Sequence, residues 1–394
     1  MRILVITNLY PNPYQPQRAT YNRQHFCALA KDHEVKIVAP ISWFDELRHR
    51  LRGRNQLARD RWCERDGIQV IHPRYYYLPR VLRAQSGHFL LRSIRSDVRD
   101  IAKSFRPDVL LGSWAYPDGF AAVQLAKEMN IPVAVQVLGS DVNLLDRYPA
   151  RRRQTWNTLR SADAVICVSQ DLATKVIDHG VEPQRVSVVY GGVDRSLFFP
   201  ASQQQAQSDL GISGARPVLL FVGNLVPVKA VDVLIAACSS LARHFPRMQC
   251  HIIGDGPLRR ALQAQAVGAA LETHVRFHGT IEHKQLPTWY RAADLVVLPS
   301  LAEGVPNVLL ESIACGRPYV ASDTGGIPEI SRHAGCALVA PGEPQVLADA
   351  IVAMLHKGTK PAPADLPMAD WNASGRALGK LLENCRRMNS PDVR

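Results

Sequence analysis

The chain has 394 residues, 46% of them hydrophobic and 21% charged, which excludes an intrinsically disordered protein and suggests two or three domains. Its 47 basic against 35 acidic side chains leave a net charge of +12, and the excess is lopsided: residues 1–195 hold 29 basic and 19 acidic residues, residues 196–394 hold 18 and 16. No apolar run approaches the roughly 18–20 residues that cross a bilayer, and the eight cysteines form no Cys-x-x-Cys pair, against a disulfide scaffold or a zinc module.

Short runs rich in Val, Ile and Leu recur along the chain. In the first half they fall at 3–7, 35–39, 69–72, 109–112, 133–138, 164–169 and 186–189; in the second at 218–222, 251–254, 275–278, 295–299, 319–322 and 337–340. Continuous rather than alternating apolar runs predict strands buried on both faces. The run at 3–6 is also too short for the core of a secretory signal, so a reduced, cytoplasmic setting is expected. Between the runs lie helical patterns, as at 231–244 with apolar residues at 231, 234, 235, 238, 241 and 242. Strand and helix alternating twice over predicts two α/β, Rossmann-like units with parallel sheets facing a central cleft. The first unit is expected at 1–195 and the second at 196–367, with 200–216 read as a polar linker. The Pro-rich stretch 360–367 reads as a crossing segment, and a last helix, from about 368 to the end with its regular part at 371–388, follows it.

Ligands of such sheets sit beyond the C-terminal strand ends, so the loops after strands are the candidates. The sharpest is 299–311. There Glu303 precedes a helix that starts near Asn307 after Pro306, and Glu311 lies eight residues on, a spacing that suits two carboxylates gripping different parts of one polyol. The free N–H groups of that helix start favour an anion or a sugar hydroxyl. In 221–229, Lys229 stands beside the next helix and can pair with a diphosphate. Gly254, in Gly-Asp-Gly-Pro, and the turn at 324–329 let a ligand approach the backbone. In the first half, Asp141 and Asp118 sit in strand-end loops, as acceptor-binding carboxylates or as helix N-caps. Arginines at 48, 50, 52, 54, 59, 61 and 65, with more at 80, 83, 92, 95, 99 and 151–153, mix with Trp43, Phe44 and Trp62. They suggest contact with an anionic membrane. No nucleic-acid motif accompanies them, so no nucleic-acid partner is expected.

These motifs, in this order, resemble the family 4 retaining glycosyltransferases of the GT-B fold. The likeness covers nearly the full length and is densest from 186 to 342, around Glu303-x7-Glu311 and the following Cys315-Gly316-Arg317-Pro318. It implies that Lys229 neutralises a donor diphosphate and that Glu303 contacts the transferred sugar, with Gly304, Val305, Pro306 and Asn307 around it. It implies further that Glu311 holds the ribose, that Thr280 and Ile281 lie by the nucleobase, and that Gly223 and Asn224 belong to the donor loop. The last helix would pack back on the first domain. Asp141, as the catalytic candidate of the first half, Asp118 and Arg18 would serve the acceptor. Three positions depart from the family pattern: Asn224 replaces an Arg, Leu138 a His, and the loop 12–20 a Gly-Gly turn, where Arg18 is expected to supply charge instead.

The expected activity is retaining transfer of a sugar from a nucleotide-diphosphate donor to a glycan or lipid-linked glycan, in exopolysaccharide, capsule or lipopolysaccharide assembly. The nucleotide sugar is a co-substrate, and no cofactor or metal is expected. Two other readings stay open: a donor-binding but inactive scaffold, and a sugar-nucleotide epimerase of the same fold.

Overall fold

The computed structural model describes residues 1–51, 57–58, 60–77, 83–145, 149–212, 214, 216–331, 335–357 and 370–388. The expected crossing segment 360–367 lies outside them, as do Arg52, Arg54, Arg59, Arg80 and the side chain of Arg83 from the basic stretch. The chain forms two compact units, Met1–Gly191 with Trp371–Arg394, and Gly192–Asp370. Partitioned this way, the charge asymmetry sharpens. The first unit carries 33 basic and 20 acidic residues, net +13, and the second 14 and 15, net −1.

The first unit contains β1 (Arg2–Ile6), β2 (Glu34–Val38), β3 (Ile41–Ser42), β4 (Trp62–Arg65), β5 (Ile68–Ile71), β6 (Arg74–Tyr75), β7 (Val109–Ser113), β8 (Val133–Val137), β9 (Ala164–Cys167) and β10 (Val186–Val188). Eight of these form one sheet in the order β10-β9-β8-β7-β1-β2-β5-β4, parallel except for β4. Ile3, Leu4, Val5 and Ile6 are fully buried, as continuous apolar runs require of a strand covered on both faces. The antiparallel β4 was not expected. Its signal was the dipeptide Asp66-Gly67, both residues at positive φ (53° and 76°), which suits a tight hairpin. β3 and β6 pair separately as a two-stranded ladder.

The helix Trp371–Met388 belongs to this first unit and packs on the helix Thr20–Leu29. Small residues four apart make the approach possible. A Cβ on Gly375 would lie 2.7 Å from the Ala28 Cβ, and one on Gly379 only 2.3 Å from His33 Nε2. Beneath the helix, the Ser374 hydroxyl donates to the Tyr190 carbonyl (2.7 Å) and lies 3.2 Å from His25 Nε2. His25 is fully enclosed, and burial pushes its pKa down to about 4.

In the second unit, β11 (Val218–Val222), β12 (Gln249–Ile253), β13 (Val275–Gly279), β14 (Leu295–Leu298), β15 (Tyr319–Ser322) and β16 (Cys336–Val339) form an all-parallel sheet in the order β13-β12-β11-β14-β15-β16. Strand order reverses between β11 and β14, so the loops leaving these two strands are neighbours at a topological switch point. The segment 200–216, expected as a linker, is a working part of this unit. It carries a helix, Gln203–Asp209, capped by the Ser202 hydroxyl, and Gln203 and Gln207 donate to the carbonyls of Ala292 and Ala293. Amide side chains tie a polar helix to the body where apolar periodicity is too weak to announce it.

Candidate active site

The second unit builds its site at the switch point. After β11, the segment Gly223–Val226 turns into a short helical turn, Pro227–Lys229, and Ala230 caps the helix Val231–His244 from a left-handed conformation (φ 46°, ψ 44°). This geometry leaves Lys229 at the very end of the loop. Its Nζ donates to Glu303 Oε1 at 2.5 Å, in an ion pair that is largely shielded from water. Glu303 comes from the loop after β14, which is braced by the Leu301 N–H on the Val228 carbonyl (2.8 Å). The switch point therefore brings together the cation and the carboxylate that sequence reasoning had placed in separate motifs.

Backbone closeness holds these loops. At Gly254 (φ 136°) a Cβ would fall 1.9 Å from the Gly223 carbonyl, and at Gly325 (φ 56°) 2.0 Å from the Glu303 carbonyl. The Gly326 N–H donates to the Gly304 carbonyl at 2.9 Å. Only glycine fits at 254 and 325, because the second loop runs directly across the first. Gly304 and Pro306 are buried, while Val305 packs against the core of this unit. Pro306 is the N-cap of the helix Asn307–Ala314, which has no side-chain cap, so its first N–H groups stay available to a ligand.

Glu303 lies four residues ahead of this helix and Glu311 within it, so the two carboxylates do not share a helix face. Glu311 points elsewhere: it accepts from Tyr290 OH (2.7 Å) and lies 2.9 Å from His283 Nε2. Both partners were missed in the sequence, and only their spatial meeting marks them. His283 follows the loop after β13, where Thr280 is exposed and Ile281 packs on the core. Asn224 is exposed beside Gly223.

The first-unit candidates have other tasks. Asp141 is buried, and its carboxylate accepts the N–H groups of Ala115 (2.9 Å), Leu138 (3.1 Å) and Gly139 (2.8 Å). Burial raises its pKa, against the pull of these donors. The carboxylate pins the loops after β7 and β8 from inside the helical turn Ser140–Asn143, whose N-cap is Gly139 and not Asp141, so the N-cap reading does not describe it. Asp118 is also fully buried. It accepts from the Asn8 backbone N–H and from Asn8 Nδ2, both at 3.0 Å, and burial pushes it up to about 8. Arg18 donates through Nε to the Asn8 carbonyl (2.9 Å) and through Nη1 to Gln15 Oε1 (2.7 Å). Asp118, Asn8 and Arg18 thus form one chain that shapes the loop after β1, with Asp118 out of a ligand's reach.

Comparison with known proteins places the chain in a family. Residues 19–197 match the family model described as Glycosyltransferase Family 4, and residues 216–357 the one described as Glycosyl transferases group 1. The chain belongs to the GT-B glycosyltransferases of this family. A relative from Bacillus subtilis, named as a teichuronic acid biosynthesis glycosyltransferase, TuaC, is 28% identical over 93% of this chain and 92% of its own. A D-inositol 3-phosphate glycosyltransferase of Geodermatophilus obscurus is 33% identical over 62% of this chain and 55% of its own. Among solved structures, this glycosyltransferase superposes on sucrose-phosphate synthase from Thermosynechococcus elongatus with a TM-score of 0.76 at 20% identity, covering 98% of this chain and 97% of that one. Anabaena HepE in complex with UDP-glucose gives 0.71 at 20% identity, covering 99% and 98%. At such identities the likeness shows the GT-B fold.

Proposed function

We propose that this glycosyltransferase moves a sugar, with retention of its anomeric configuration, from a nucleotide-diphosphate sugar to a glycan or lipid-linked glycan, in the assembly of a surface polysaccharide. The observation that carries this reading is the Lys229–Glu303 pair at 2.5 Å, framed by the glycine crossings at 254 and 325. Without a ligand, each charge satisfies the other. An arriving diphosphate competes for Lys229, and Glu303 is released to accept hydroxyl hydrogen bonds from the donor sugar. Lys229 and the uncapped start of the helix Asn307–Ala314 then stabilise the negative charge that grows on the leaving diphosphate. That phosphate takes the acceptor's proton, so no protein nucleophile is needed. Glu311, with Tyr290 and His283 fixing its orientation, is positioned to accept from a ribose, and Thr280 and Ile281 border the base. Gly223 and Asn224 complete the donor loop. Arg18 stands on the acceptor side, while Asp118 and Asp141 support it from beneath. The chemistry assigned to these residues calls for no metal or cofactor.

The complex of Anabaena HepE with UDP-glucose and the teichuronic acid relative support, respectively, a nucleotide-sugar donor and a polysaccharide setting. Among the described residues no helix is long and apolar enough to cross a membrane. Peripheral contact from the cytoplasmic side is part of the proposal. It is supported by the +13 charge of the first unit and by exposed Phe44, Leu47 and Leu51 beside exposed Arg48 and Arg50 along the helix Trp43–Arg50 and its end. The deciding experiment is a thermal-shift screen against a panel of nucleotide sugars. One member is expected to raise the melting temperature in a concentration-dependent way, and Lys229→Ala to abolish that shift. A panel in which nothing binds would sink the reading. Anomeric analysis of the product tests retention, activity in a chelator tests metal independence, and binding to phosphatidylglycerol vesicles at low and high salt tests the membrane contact.

A further inference from the structure

Each oxygen of the Glu311 carboxylate has its own donor. Tyr290 donates its hydroxyl to Oε2 at 2.7 Å, and His283 Nε2 stands 2.9 Å from Oε1. A carboxylate only accepts, so the hydrogen of the second contact sits on Nε2. Glu311 is 8% exposed and Tyr290 fully buried. Turning the carboxylate would strip a nearly buried oxygen of its donor, which burial makes costly. Two oxygens offer about four lone-pair sites, so two donors leave others to receive a ligand.

Phe198 stands behind both donors. It is 1% exposed, its ring meets Tyr290 edge-on with centroids 5.8 Å apart at 72°, and it lies tilted against His283 at 5.1 Å. Its backbone is held as firmly. The N–H groups of Leu197 and Phe198 both donate to the Asp194 carbonyl, at 3.1 and 2.8 Å. Arg291 donates to the carbonyls of Leu197 and Phe199, both at 3.0 Å, and its guanidinium lies 4.1 Å from the centre of the Phe199 ring. Tyr290 and Arg291 are neighbours on the helix Leu286–Ala292. That helix therefore supplies one donor of Glu311 and also clamps the segment that carries Phe198. Enclosed in this way, Phe198 reaches no ligand itself, and any effect it has on one passes through the two donors.

We propose that Phe198 is a positioning residue for the donor: by backing Tyr290 and His283 it fixes Glu311 in one orientation, and the fixed carboxylate makes the site select a ribonucleotide over its 2′-deoxy form. The inference rests on the donor reading above, in which Glu311 receives the ribose. A carboxylate held still presents two acceptors to the two neighbouring hydroxyls of a ribose. A 2′-deoxyribose leaves one of them unpaired in a nearly dry place, which is how a site rejects a ligand that lacks a hydroxyl. A carboxylate free to turn settles on the remaining hydroxyl and loses little.

The test is calorimetric titration of the full chain with UDP, GDP, ADP and CDP, each against its 2′-deoxy form, and with thymidine diphosphate, which lacks the 2′-hydroxyl. The wild type is expected to bind at least one ribonucleotide, with the deoxy form weaker by about tenfold or more. Tyr290→Phe and Phe198→Leu are each expected to cut that ratio to about threefold or less, by weakening the ribonucleotide while leaving the deoxy form nearly unchanged. Ile351→Val, which opens a cavity elsewhere in the same core, is expected to lower the Tm and keep the wild-type ratio. Four results overturn the proposal and leave the donor reading standing: no discrimination by the wild type, a wild-type ratio in Phe198→Leu, an equal loss of ratio in Ile351→Val, or tighter binding of thymidine diphosphate than of any ribonucleotide. A chain that binds none of these nucleotides overturns the donor reading and this inference with it.

Discussion

The two units solve one local problem twice. In each, the loop after a central strand ends in a cation followed by an alanine, Arg18-Ala19 and Lys229-Ala230, and each alanine starts a helix from a left-handed conformation with φ 46°. The cations then part company. Lys229 meets the carboxylate of Glu303, while Arg18 meets a backbone carbonyl and two neutral amide side chains. A carboxylate can be traded for a diphosphate of like charge, so Lys229 is available to a ligand. Neutral acceptors inside a fixed loop make Arg18 a brace. The same division runs through the acidic groups, since Glu303 faces a cation and Asp141 and Asp118 face backbone N–H donors.

The widest separation is expected in activity. Lys229→Ala should lower kcat/KM for transfer by about a hundredfold or more, the scale on which lost electrostatic stabilisation is felt. Arg18→Ala should lower it by less than tenfold and show mainly as a lower Tm. Equal losses would break the comparison. Next come the glycines. Gly375→Val drives a side chain into Ala28 and should cost about 2–3 kcal/mol in urea unfolding, an overpacking penalty, with nucleotide-sugar affinity retained. Gly254→Ala should abolish nucleotide-sugar binding, because its Cβ meets the Gly223 carbonyl; a reversed pattern would move the site to the wrong unit.

A pH dependence separates the units further. His25 has a folded pKa of about 4, below its unfolded value near 6.5, so it stabilises fully above 6.5 and that contribution is lost as pH falls towards 4. First-unit stability should fall by about 3 kcal/mol over this window, and His25→Gln should flatten the profile. An unchanged profile in the variant would assign the effect elsewhere. The smallest effect is expected at the paired alanines. A left-handed L-residue costs about 1–2 kcal/mol, and glycine's extra chain entropy takes back roughly half of that. Ala19→Gly and Ala230→Gly should each stabilise by at most about 1 kcal/mol in denaturant titrations, and by similar amounts if the two turns are equivalent.

The parallel sheets were legible in the sequence because a strand buried on both faces must be apolar throughout, as at Val218–Val222, and the last helix because its period is long and its ends are marked. The antiparallel β4 escaped, since a half-exposed edge strand carries a weak pattern, although Asp66-Gly67 announced its turn. So did the helix within 200–216, whose hold on its unit is a matter of amide hydrogen bonds. In the site, the types and order of Lys229, Glu303 and Glu311 were determined by the sequence alone. Which charge meets which was decided only by tertiary structure. The switch point between β11 and β14 sets Lys229 against a carboxylate 74 positions away, and Tyr290 and His283 reach Glu311 across 21 and 28. Asp141 teaches the same from the other side. One strand-end aspartate looks like another along the chain, and whether it is left to a ligand or consumed by three backbone N–H groups depends on how the neighbouring loops fold over it.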